Sequence, residues 1–425
     1  MQITLKLRGV LKIAFFFLVT IVAITYAGYK AYRYITYKKV ISATSAKRIR
    51  NFQRLPFSFT MNTCDSTDRG YLLLAPHVRF NLKYGSIVIM DLSGHLLFQK
   101  LVDGAVIDLR QWKLNGHTYY SYGVDDSATN HVNLSAGHIV VCDSALNEIK
   151  QIHLLPYDDI TINNKEDLDL HDFIMLSEDH YISMAVCKKN VNNIPVCLLP
   201  APGVKVATAI MQEVKDGKVI WQWDATHHPE FYLNSDLGNS FYDSTATQDY
   251  IHINSMIFDP ADSNLIVSFR HQNQVVKINR HSGDIIWRLG GKSSDFPLTK
   301  EQLFLRQHNI VLTDNNQTLM IFDNGEKFAR PSSRVIEFKL DEKSKTVVSF
   351  KAYNIPEPFS ESLGSVQKIG DDYLICGGTA NYVLLVNSIT GAKKMEIKMN
   401  QASYRAWLVY DITGINLNEK VNGRK

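Results

Sequence analysis

A short unit of two strands and a polar turn recurs along this chain, and a recurrence at this scale limits the possible folds more than any other feature of the sequence. The unit reads apolar-x-apolar-Asp/Asn, a turn often containing glycine, then an apolar strand that is often aromatic. Its clearest copy sets Val275 and Ile278 against Ile285, Trp287 and Leu289 across Arg280-His-Ser-Gly283. Further copies lie at residues 86–98, 138–149, 209–221, 334–340 with 346–350, and 382–394. Each is preceded by another hairpin, as at residues 173–186, 309–323 and 366–377. Apolar alternation bounded by Asp, Asn, Pro, Gly and Ser turns is the mark of short antiparallel strands. Four such strands make one propeller blade, so six copies predict an all-β fold, a six-bladed β-propeller. An array of β-sandwiches is the competing architecture, and it does not account for equal units.

Superposing the units aligns three histidines. Leu170-His171-Asp172, Ile251-His252-Ile253-Asn254 and Gln307-His308-Asn309 each open the first strand of a unit. Equivalent residues of a propeller converge on its axis. Any one of these is ordinarily a half-buried, satisfied histidine, whereas three in register predict a shared funnel. A funnel lined with imidazoles can hold a metal or an anion, or perform nucleophilic or acid–base chemistry.

Other readings are excluded. The chain is 45% hydrophobic and 11% aromatic, ample for a large core, and its net charge of +4 includes no basic block for nucleic acid. Leu289-Gly-Gly-Lys-Ser293 has Ile286 where a phosphate-binding loop requires glycine. Residues 259–264 lack the glycine and bidentate glutamate of a calcium loop and read as a turn. No Gly-x-Ser-x-Gly elbow supports a serine hydrolase. Cys187 and Cys197 flank a nine-residue loop, and an oxidising compartment predicts a disulfide between them; two buried thiols are the rival reading. Cys64, Cys142 and Cys376 show no metal-ligand spacing, and neither metal nor cofactor is expected.

The N-terminus stands apart. Residues 13–27 form an uncharged apolar run entered through Lys6, Arg8 and Lys12 and followed by a tyrosine-rich stretch to Tyr37. Residues 1–37 are expected to be an uncleaved single-pass anchor, with a linker at 38–54, the propeller at 55–415 on the periplasmic or extracellular side, and a polar tail at 416–425. A cleaved signal peptide is the rival, with Thr25-Tyr-Ala27 a poor cleavage site. The strand at residues 404–411 is expected to close the ring against residues 57–62.

Several ordered motifs resemble a known family. They are Asp249-Tyr-Ile-His-Ile-Asn-Ser255, Ser268-Phe-Arg-His271, the run from Val276 through Trp287 to Lys292, Gln307-His308, Phe322-Asp-Asn-Gly325 and Ser333-Arg-Val335. Leu170-His-Asp172 and Tyr404-Arg-Ala406 also fit. Together they resemble the PAPS-independent aryl sulfotransferases. That resemblance implies a six-bladed periplasmic propeller that moves a sulfuryl group from an aryl sulfate to a phenol through a sulfohistidine. It also implies that His252 and His308 grip the sulfuryl oxygens and that Arg334 is the fixed cation; propeller geometry lets Arg334 lean toward His308, and the superposed units add His171 to the catalytic set. Asn254, Arg270, His271 and Asn309 are implied as substrate-binding. One departure stands out: the family's sulfate-accepting histidine lies in the last part of the propeller, and this chain has no histidine after His308. Either His308, His252 or His171 takes the covalent role, or transfer is direct, or the propeller only binds a ligand or protein.

Overall fold

The computed structural model describes Thr20 and residues 57–63, 69–77, 84–125, 137–160 and 168–417. The expected anchor apart from Thr20, the linker and most of the tail lie outside the described residues. No helix among the described residues is long and apolar enough to cross a membrane.

Among the described residues twenty-five strands form five sheets, every strand pair antiparallel. The first sheet joins β2 (Tyr71–His77), β3 (Tyr84–Asp91) and β4 (Leu96–Asp103) to β25 (Ala402–Val409). An eight-stranded sheet follows. One half holds β5 (Ala105–Leu114), β6 (His117–Asp125), β7 (Gly137–Cys142) and β8 (Glu148–Ile152); the other holds β9 (Leu168–Ser177), β10 (His180–Val191), β11 (Val204–Lys215) and β12 (Lys218–Asp224). Among the described residues the backbone ladders of the two halves join only at the pair Gly137 and Leu168. Two four-stranded sheets come next: β13 (Ile253–Phe258), β14 (Leu265–Phe269), β15 (Gln274–Ile278) and β16 (Ile285–Gly290), then β17 (Asn309–Thr313), β18 (Thr318–Asp323), β19 (Arg334–Asp341) and β20 (Thr346–Asn354). The last sheet holds β21 (Ser365–Ile369), β22 (Asp372–Cys376), β23 (Tyr382–Asn387) and β24 (Lys393–Met399), with β1 (Phe59–Thr63) on its outer edge. One helical turn, α1 (Glu230–Asn234), sits in the β12–β13 connection.

The arrangement is propeller-like. Strands β5, β9, β13, β17, β21 and β25 touch one another in that order, and β25 returns to β5. The repeated turn read from the sequence has a common cause. In the outer hairpins the side chains of Asp91, Asp143, Asn279, Asp341 and Asn387 accept backbone N–H groups two residues on. Such a side chain imitates a backbone turn and ends the strand at a fixed point. Burial grades from the middle of each sheet outward. Residues 87–90 and 72–75 are wholly buried runs, while β20 alternates toward solvent. Continuous apolar runs arise because both faces of an inner strand are covered. Adjacent sheets pack face to face, as where Ile266, Trp287 and Leu289 meet Ile310, Ile321 and Phe338.

The ring closes differently from the expectation. β25 pairs with β2, Tyr71 opposite Val409, whereas residues 59–63 pair with β24. The chain is thus sewn at two places, its N-terminal strand on one sheet and its C-terminal strand in the next. A further correction concerns the cysteines. Residue 187 lies buried in β10 opposite Thr208, while Cys197 is an exposed free thiol in a single helical turn, and no bridge joins them. The strand register carries Cys187 away from the loop that holds Cys197. The carboxylates of the 259–264 turn have another use: Asp259 and Asp262 each lie 2.8 Å from the buried ammonium of Lys277, with Glu342 at 2.9 Å.

Candidate functional site

The innermost strands β9, β13, β17, β21 and β25 all begin at one end of the ring, and the sequence histidines meet there. The His171 ring centroid lies 5.3 Å from that of His252 and 5.7 Å from that of His308. Tyr404, at the start of β25, packs 5.1 Å from His308 and donates its hydroxyl to the His171 carbonyl at 2.9 Å. The backbone differs in detail from the aligned strands of the sequence reading. His171 lies inside β9, but His252 and His308 fall just before β13 and β17, and His252 has φ of 52°. A left-handed histidine is uncommon. It turns the ring back onto Asp249, whose carboxylate lies 2.8 Å from Nδ1.

Carboxylates orient two of the rings. Asp169, buried and two residues before His171, lies 2.5 Å from His171 Nδ1, as Asp249 serves His252. The third ring, His308, has its Nδ1 3.4 Å from the Gly364 carbonyl. These acceptors assign the protons to Nδ1 and leave the Nε2 atoms as lone pairs. Burial, helped by the neighbouring His171, Arg405, Arg270 and His252, holds His308 well below the ordinary imidazole range and hence neutral. Neither aspartate was given a role from the sequence, although Asp249 opens one of the resembling motifs. Asp-Leu-His171 and Asp-Tyr-Ile-His252 carried the signal.

A fourth ring joins the group. His271 is 4.5 Å from His252, ring to ring, and burial holds it down to about 4. Asp249, His252 and His271 offer ligand atoms within 4.8 Å of one another. Their hydrogen bonds do not suit a cation. His271 Nδ1 lies 2.8 Å from the Asp249 carbonyl, which only accepts, and its Nε2 lies 3.1 Å from an Arg270 guanidinium nitrogen, which only donates. Both ring nitrogens are committed, and a positive charge stands beside them. The set is instead a fixed chain from Arg270 through His271 and Asp249 to His252. Burial works against the Asp249 carboxylate, yet His271 and His252 outweigh it and hold the carboxyl well below its usual range.

Beneath the rings lies a hub the sequence reading passed over. Arg405 is fully buried, with Nη1 2.9 Å from Asp108 and Nη2 3.0 Å from Asp172. It also donates to the Asn254 carbonyl at 3.3 Å. Asp108 takes the Trp407 indole N–H at 2.7 Å, and Asp172 takes the Ser255 hydroxyl at 2.8 Å. One side chain thereby ties β25, β5, β9 and β13 together. Burial disfavours its charge, but Asp172 and Asp108 outweigh burial and raise the guanidinium further.

Three expected site residues are placed otherwise. The Arg334 guanidinium does not lean over His308. Its Nε binds Asp323 at 2.8 Å, and its two terminal nitrogens bind the carbonyls of Glu301 at 2.9 Å and Leu303 at 2.6 Å. Asn254 donates to the Gln307 carbonyl at 2.8 Å, and the Asn309 side chain accepts the Val366 N–H at 3.1 Å. Each joins one inner strand to the next. His171, His252, His308, His271 and Arg270 are the sequence residues the structure brings together.

The resemblance read from the motifs has a counterpart in comparisons with known proteins. The arylsulfate sulfotransferase AssT of Lelliottia amnigena is 30% identical over a match covering 39% of this chain and 36% of that protein, so the match spans about a third of the length of this curated relative. Among solved structures, a protein of unknown function from Bacteroides caccae aligns over 81% of this chain and 100% of that one, at 9% identity and a TM-score of 0.46. The periplasmic gluconolactonase PpgL of Pseudomonas aeruginosa aligns over 80% and 99%, at 9% identity and 0.44. The sequence model of the arylsulfotransferase (ASST) family matches residues 86–411, well over half of the chain, and the protein belongs to that family.

Proposed function

We propose that this protein transfers a sulfuryl group from an aryl sulfate ester to a phenolic acceptor, without PAPS, at the histidine cluster of a six-bladed propeller. Two features support six blades. The halves of the eight-stranded sheet share one residue pair, and six innermost strands follow one another around the ring. The family and its curated relative support the reaction class. The observation that carries the reading is the contact of three imidazoles whose Nδ1 atoms face acceptors.

His171 is the residue we assign to the attack. It touches both other rings, and Asp169 stands ready to stabilise the cation that forms on it. Its Nε2 attacks sulfur, the S–N bond forms, the S–O bond to the aryl group breaks, and the donor leaves as phenolate. The acceptor phenol then gives its proton to His252 Nε2 and attacks the same sulfur as the S–N bond breaks. That proton matches the one the departed phenolate takes up. The non-bridging oxygens carry negative charge throughout, and Arg270 offers them a planar, permanently charged donor. No histidine from the last sheet is needed. The protein would act on the periplasmic or extracellular side, held by residues 1–37 as an anchor.

Incubation of the full-length protein with 4-nitrophenyl sulfate, with and without phenol, tests the reading. Nitrophenol release that accelerates with phenol, and is lost in His171→Asn, is the expected result. Release indifferent to phenol assigns a hydrolase. Tight binding of the ester with no release assigns a binding propeller.

A further inference from the structure

Large apolar side chains are spread unevenly over this protein. Among the described residues, five are at least seven-tenths exposed: Val196 at 85%, Leu199 at 77%, Ile389 at 74%, Phe328 at 71% and Tyr242 at 70%. Four of the five lie in connections on the end that carries the histidines. Val196 and Leu199 sit between β10 and β11, Tyr242 between β12 and β13, and Phe328 between β18 and β19. Only Ile389 belongs to a turn at the opposite end. The first two connections are joined, because the Ala201 N–H donates to the Phe241 carbonyl at 2.9 Å, so they lie side by side on that end. Apolar groups gathered on one face of a folded domain mark a contact surface.

The path of the chain says what that surface meets. β1 runs with Phe59 opposite Met399, and Ser58 exchanges hydrogen bonds with Asn400 at 2.9 and 3.0 Å. Asn400 lies just before β25, at the end where Tyr404 reaches His171. Phe57 therefore joins the sheet at the histidine-bearing end. The uncharged apolar run at residues 13–27 precedes it in the chain, separated by residues 28–56. A bilayer that takes up this run lies within tethered reach of the same face.

We propose that the histidine-bearing face seats on a lipid bilayer, with Val196, Leu199, Tyr242 and Phe328 entering the headgroup region. Tyrosine and phenylalanine suit that depth, and the Lys327 ammonium, 5.9 Å from the Phe328 ring, stays at the level of the lipid phosphates. Tethering makes the seating an intramolecular event, so a few weakly inserting side chains are enough.

The native thiol of Cys197, exposed between Val196 and Leu198, supplies a reporter; Cys142, Cys187 and Cys376 are buried. The full-length chain carrying Cys64→Ser is labelled there with bimane in phosphatidylcholine–phosphatidylglycerol vesicles, with and without brominated lipid. A second sample carries the label at Ile389→Cys in a Cys64→Ser/Cys197→Ser background. Bromine is expected to quench the label at position 197 several-fold more than that at 389. Replacing Val196, Leu199, Tyr242 and Phe328 together by serine is expected to abolish the difference while the protein stays with the vesicles. Equal or absent quenching at 197 overturns the proposal, as does quenching that survives the serine variant. Quenching that follows protein density in bromine-free vesicles also overturns it, assigning the face to a second copy of the chain.

Discussion

Replacing Arg405 by methionine tests whether the hub holds the ring. The substitution keeps much of the side-chain volume and removes the charge that pairs Asp108 and Asp172. Losing one partner of a buried ionic set leaves uncompensated charge and costs about 3–5 kcal/mol. Unfolding of the unit from Pro56 to Lys425, roughly 370 residues, carries about 2.1 cal/mol/K per residue, so Tm should fall by about 4–6 °C. The pH dependence has a definite sign. Burial opposes the Asp172 charge, but Arg405 and Arg110 outweigh it and depress the carboxyl in the folded protein. In the parent that contribution is present above the unfolded-state value of about 3.9 and is lost as pH falls through the lower folded value. Without Arg405, only Arg110 is left to offset burial, so the carboxyl rises relative to the parent and the variant's penalty eases as the group protonates. The penalty should therefore be largest at neutral pH and shrink toward pH 4. Calorimetry of parent and variant at pH 7.5, 6, 5 and 4 measures both. A penalty below about 1 kcal/mol, or one that does not change with pH, would falsify the hub as a stabilising element.

Three further outcomes follow from the geometry. Because burial holds His271 down to about 4 against about 6.5 in the unfolded chain, its contribution is complete above pH 6.5 and is lost as pH falls toward 4; the parent should lose up to about 3 kcal/mol over that interval, and His271→Gln should flatten the slope in urea titrations. Arg334→Lys should cost about 2–3 kcal/mol, since one ammonium cannot serve Asp323 and two carbonyls together; an unchanged urea midpoint with a hundredfold loss of turnover would show instead that the guanidinium meets the substrate. Cys197 should react with a thiol reagent in the native protein at once, while Cys142 and Cys376, buried and each pushed up to about 12, should react only on unfolding.

Much of the fold was legible because its information is local. The Asx turns at Asp91, Asp143, Asn279, Asp341 and Asn387 stop strands through contacts two residues long, and such contacts leave a pattern in any stretch of sequence. The histidines were legible by repetition, since superposed units bring 171, 252 and 308 into register. What escaped was long-range pairing. Arg405 meets Asp108 across 297 residues and Asp172 across 233, and a Tyr-Arg-Ala triplet within a strand carries no trace of either partner. Arg334 was misplaced for a similar reason: an arginine after a turn reads as available until Asp323, Glu301 and Leu303 are seen to surround it. The closing strand pair also lay beyond local reading, because β1 and β2 are adjacent in the chain and either can meet a late strand.

That double seam also governs how the protein comes into being. Val409 must find Tyr71 across 338 residues, and Thr63 must find Met395, so no partial chain can present a closed ring. Until the last strand arrives, β2 keeps a bare backbone edge, which is a template for pairing with other chains. Contacts so distant in sequence make for slow assembly, with the search for closure as its late step. A nascent chain stopped before residue 402 would be left as an open fan of sheets with the β2 edge unpaired. The chaperones that meet it, and the proteases that clear it, would be recognising that edge.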